Sequence, residues 1–167
     1  MIRRFFIGII SLALILLVDR FAQGAPVIGR FIPDMLLLAV LYAGLAYGGA
    51  AALHLAFWGG LLVGSTHLSL WGAESFQLVI LGWIACICQD RLDETRPLVQ
   101  MIFVGICSLA GAFLEFLIVI FSGQGSHASP GLHWTVFSII VDMLWAPAFF
   151  HAMNWGDRLL KGRRTAW

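Results

Sequence analysis

Two carboxylic acids lie inside apolar stretches where an ionised group has little water to hold it: Glu115 in the run Pro97 to Phe121, and Asp142 in the run Leu132 to Trp155. An acid so placed is a candidate for ion or proton coupling, or for a polar lock between helices, and is expected to face a bundle interior. At helical spacing Glu115 shares a face with Gly105, Ser108 and Ala112, and Asp142 shares one with Thr135, Ser138 and Ala146. The plainer reading is a protonated or hydrogen-bonded structural acid. With the first of these helices running outward and the second inward, helical rise separates the two acids by about 10 Å in depth, so they are not expected to pair. Pro147 removes a backbone hydrogen bond to Met143 and should kink its helix just below Asp142.

The remaining candidates are weaker. His67, Glu74, His127 and His133 would gather toward one face, but their spacing matches no metal-ligand pattern, and no metal or cofactor is expected. His54 and His151 read as hydrogen-bonded packing residues. Cys86 and Cys88 diverge by about 200° on a helix, and with Cys107 they read as small core residues. There is no phosphate-binding loop, no nucleophile elbow and no paired carboxylates at metal-ligand spacing, so nothing argues for an enzyme.

The chain that must position these residues has 167 of them, 60% hydrophobic and only 11% charged, with a mean hydropathy of +0.92. Globular domains carry about 25% charged residues, so this composition describes an integral membrane protein. The net charge of +1 gives no basic surface for nucleic acid. Apolar periodicity and turn residues predict one all-α membrane domain of six transmembrane helices, at about 5–21, 33–47, 49–70, 75–89, 97–121 and 132–155. The first resembles a signal sequence, yet Asp19 and Arg20 interrupt the cleavage region and a retained helix is expected. Six helices put both termini on one side. That side collects Arg3, Arg4, Arg91, Arg96, Arg158, Lys161, Arg163 and Arg164, against Arg20 and Arg30 on the other, which makes the termini cytoplasmic; five helices would split the basic groups. The basic tail could meet anionic lipid of the bilayer or a cytoplasmic partner.

The organising stretch is Arg30 to Gly72, forty-three residues with Arg30 and Asp34 as the only full charges. A single helix from Pro33 to Leu70 would be about 57 Å long, nearly twice a hydrocarbon core, so the run must fold back. Gly48 and Gly49 are the expected turn. Pro33 opens the first arm, where its missing amide hydrogen is no loss, and Asp34 suits the positive end of the helix dipole. The second arm carries a stripe of small residues at Gly48, Ala52, Ala56, Gly60 and Gly64, which would let another helix approach closely, whether a neighbour or a partner protein, before the chain turns near Gly72.

The order of these motifs resembles the bacterial rod shape-determining protein MreD family over about Arg30 to Leu160. The likeness rests on Pro33-Asp34 opening an apolar helix, Phe57-Trp58-Gly59-Gly60-Leu61-Leu62, and Leu70-Trp71-Gly72 where the family has a Pro-Leu-Gly turn. It continues through Arg91-Leu92, Pro97-Leu98-Val99-Gln100 and Leu144-Trp145-Ala146-Pro147. Gly64 stands where the family commonly has Asp, and Asp142 where Asn is common. The resemblance implies a non-enzymatic inner-membrane subunit of the cell-elongation machinery. It would bind the bitopic protein MreC, link MreB filaments to the periplasm, and regulate peptidoglycan synthesis by RodA and its transpeptidase partner. The family fold is similar to the six-helix substrate-binding subunits of vitamin uptake transporters, which supplies the alternative function. Such subunits carry an Ala-x-x-x-Ala pattern in the first helix, whereas Phe5 to Val18 has only Ala13.

Overall fold

Ten consecutive residues, Leu36 to Leu45, are buried in the first helix of the computed structural model, α1 (Met35–Tyr47). A helix apolar on every side has no face to give to water, and here it is the core of the bundle. The structure describes residues 33–65, 72–90, 92, 96–121 and 132–162. In that part the fold is all-helical: α1 is followed by α2 (Gly49–Gly64), α3 (Ala73–Cys88), α4 (Pro97–Phe121) and α5 (Leu132–Gly162), with no strand among the described residues. The predicted helix at 5–21 lies outside them.

Asp34 starts α1 as its N-cap, its carboxylate accepting a hydrogen bond from the Leu37 amide at 2.8 Å. Pro33 therefore precedes the cap instead of occupying the first turn, because the short acid side chain takes the capping position. The break between α1 and α2 is one residue, Gly48, at φ 86° and ψ 178°. A side chain at that positive φ would be strained, which is why the turn falls on glycine. Gly72, at φ 95°, enters α3 in the left-handed region for the same reason. At the other end of the bundle α5 runs on through Pro147 and past Trp155 to Gly162, so the first part of the predicted basic tail is helical.

The three short helices form one tightly packed layer. Where a Cβ is built on Gly60 it lies 2.5 Å from Ser75 Cα, and on Gly44 it lies 2.7 Å from Ala85 Cβ. A Cβ built on Gly82 of α3 lies 3.0 Å from Val40 Cγ1 of α1 and 3.5 Å from Ala52 Cβ of α2. Such approaches need a residue without a bulky side chain on at least one of the two helices, and they are how helices associate where the surroundings are as apolar as the side chains. The small-residue stripe is thus an internal seam between α2 and α3: Ala52 and Ala56 are 0% exposed, and Gly60 and Gly64 are buried. Of the two occupants expected for the stripe, a neighbouring helix or a partner protein, α3 of the same chain is the one that packs on it among the described residues.

Large apolar side chains point outward instead. Leu98, Ile102, Ile106, Leu109, Phe113 and Phe116 form an exposed row along α4, while Gly105, Cys107, Ser108 and Gly111 face in. Trp58, Trp83 and Trp145 are likewise exposed on α2, α3 and α5. An exterior of large apolar side chains is the arrangement lipid favours and water penalises. Two helices, Pro97–Phe121 and His133–Arg158, are long and apolar enough to cross a membrane, at 25 and 26 residues. The other three, of 13 to 16 residues, are shorter than a full crossing.

Candidate functional site

Asp142 lies in the eleventh position of α5 and is 3% exposed. Its Oδ1 accepts a hydrogen bond from the backbone amide of Asp34 at 2.9 Å, and its Oδ2 accepts one from the Ser108 hydroxyl at 2.9 Å. One carboxylate therefore ties the start of α1, the middle of α4 and the middle of α5. The sequence positions each partner for a separate reason. Asp34 is held by its own capping bond, Ser108 lies on the small buried face of α4, and Gly105, one turn earlier, admits Met143 with a built Cβ only 2.6 Å from its sulfur. The first-turn amides of α1 offer the partial positive charge of a helix N-terminus to the acid.

A second tie fastens the same two helices further along. The Tyr42 hydroxyl donates to Asn154 Oδ1 at 2.9 Å and lies 3.4 Å from Asp157 Oδ2. Tyr42 is 2% exposed and packs edge-on to Phe150, with ring centroids 5.6 Å apart. Since Asp34 meets Asp142 and Tyr42 meets Asn154, α1 and α5 run in the same direction. A third bond, from the Ser75 hydroxyl to the Phe57 carbonyl at 3.2 Å, closes the α2–α3 seam beside Gly60. Sequence reasoning missed Tyr42, Asn154 and Ser75. A lone tyrosine in a leucine-rich helix was the available signal, because a buried phenol needs a partner.

The other predicted residues fall elsewhere. Glu115 is exposed, contrary to the expectation that it faces the interior. The buried residues of α4 end at Gly111, four positions before it. Pro147 is half-buried on α5. Gly49 backs onto Cys86, whose sulfur would lie 2.9 Å from a Cβ there. His54 is exposed, its Nδ1 2.7 Å from the Ala50 carbonyl one turn back. His67 and His127 lie outside the described residues, and among the described residues no three of His, Cys, Asp or Glu converge as metal ligands.

The arrangement can hold helices together and leaves each Asp142 oxygen engaged by a donor of this chain. No family model, curated protein or solved structure matches the chain.

Proposed function

We propose that this protein is a non-enzymatic, six-span scaffold subunit of the bacterial inner membrane, with both termini cytoplasmic, acting in the cell-elongation machinery. In that role it binds an MreC-like bitopic protein and, through the assembly, MreB, RodA and the transpeptidase partner of RodA. The observation that carries this reading is the use made of Asp142: the acid most suited to coupling or catalysis is committed to hydrogen bonds between three helices. A bundle cross-tied in this way, with its small-residue seam filled by its own helices and large side chains turned outward, suits a rigid platform for other membrane helices. A partner helix must then meet an outward face, since the stripe at Ala52, Ala56, Gly60 and Gly64 is covered. The order of the motifs from Arg30 to Leu160 supports the rod-shape assignment.

Depletion in a rod-shaped host tests this reading. Cells should round up and recover rod shape when the full chain is restored, with Asp142→Asn restoring shape as well as wild type. Depleted cells that keep their shape while losing uptake of a vitamin would replace the reading with the transporter-subunit alternative.

A further inference from the structure

A groove of about 740 Å³ opens between the start of α4 and the last turns of α5. We infer that it binds the phosphate headgroup of an anionic membrane lipid, with an acyl chain lying along α5. The lining grades from apolar to cationic along one helix. Pro147 and Ala148 form its apolar end, His151 and Asn154 its middle, and Trp155 and Arg158 its cationic end, with Pro97 and Gln100 as the facing wall. From Pro147 to Arg158 the helix rises about 16 Å, the depth of one hydrocarbon leaflet.

Each level matches a level of a lipid. Trp155 is 63% exposed, and an indole there belongs at the headgroup boundary. Arg158 is exposed beside it, and among the described residues no carboxylate pairs with its guanidinium, which is shaped to take two oxygens of a phosphate. Asp157, its neighbour in sequence, is turned to the Tyr42 hydroxyl and does not line the groove. The same tyrosine occupies the Asn154 amide oxygen, so the amide nitrogen is the group left to donate. His151 adds an imidazole one turn nearer the apolar end. A free phosphate would use only the cationic end, whereas an acyl chain would also use the apolar end at Pro147 and Ala148.

Native mass spectrometry of the purified full chain, offered equal amounts of phosphatidylglycerol and phosphatidylcholine with matched acyl chains, tests the inference. Wild type should retain the anionic lipid in preference. Arg158→Gln should lower that retention about fivefold, with His151→Gln lowering it less and His54→Gln, on the exposed side of α2, leaving it unchanged. Arg158, His151 and His54 are exposed, so the three variants are expected to fold, and thermal unfolding checks that they do. Equal retention of the two lipids, or undiminished retention in both groove variants, overturns it. Displacement of the lipid by millimolar inorganic phosphate at constant ionic strength also overturns it, in favour of a soluble-anion site.

Discussion

The backbone amide of Asp34 and the carboxylate of Asp142, 108 positions apart in the chain, meet in a 2.9 Å hydrogen bond that pins the start of the central helix to the middle of the last one. Replacing the acid by alanine leaves the Asp34 amide and the Ser108 hydroxyl without their acceptor in a buried site, and Asp142→Ala should destabilise the protein by about 1–3 kcal/mol. Asparagine keeps both bonds: its oxygen still accepts from Asp34, and its amide donates to Ser108, whose hydroxyl reverses its role. Asp142→Asn should therefore stay within about 1 kcal/mol of wild type, and thermal unfolding in detergent separates the two variants. Equal damage from both would mean that the negative charge itself is required.

The seam between α2 and α3 makes a sharper contrast. A Cβ on Gly60 falls 2.5 Å from Ser75 Cα and 2.7 Å from its nitrogen, backbone atoms that cannot swing aside, whereas a Cβ on Gly64 meets nothing closer than 3.7 Å. Gly60→Ala should cost about 1–3 kcal/mol as an overpacked contact. Gly64→Ala should be nearly neutral, since alanine is the better helix former. Thermal unfolding of the two single variants checks this, and equal midpoints would contradict the seam.

Tyr42→Phe removes one hydroxyl and leaves its ring contacts with Phe150 in place. A loss of about 0.5–1.5 kcal/mol is expected. A double-mutant cycle with Asn154→Ala should show the two effects to be coupled. Strict additivity would mean that the second tie contributes nothing.

The outward row on α4 predicts how labels behave. A nitroxide at Ile106 or Leu109 in reconstituted vesicles should be reached by dissolved oxygen far more than by a water-soluble nickel complex. One at Val104, which is 0% exposed, should be reached by neither. Ready access of the nickel complex to Ile106 would contradict a lipid-facing α4.

The turn at Gly48 was legible in the sequence because it depends on local chemistry, a positive φ that suits glycine; Asp34 was legible as an acid at a helix start, but as a charge inside a helix opened by Pro33 and not as the cap it is. The small-residue stripe was legible as a packing surface, but its occupant was not. Spacing reports that a helix can be approached closely and says nothing about which helix approaches. The depth of α1 was hidden for a related reason. Its apolar residues read the same whether they face lipid or other helices, and only the packing shows Leu36 to Leu45 buried among neighbouring helices. Glu115 and Asp142 looked alike by type and surroundings. They differ because Asp142 lies opposite the Asp34 amide and the Ser108 hydroxyl while the buried face of α4 ends at Gly111, a matter of which elements meet that no window along one helix contains.

Affinity purification of the full chain from its native membrane, with quantitative mass spectrometry of what accompanies it, tests the central claim most directly. A scaffold of the elongation machinery should bring down an MreC-like bitopic protein in near-stoichiometric amount, with RodA-type and transpeptidase components at lower yield. Asp142→Asn should retain that set, since its hydrogen bonds survive. Recovery of an ATP-hydrolysing transport module in place of the MreC-like protein would contradict the account.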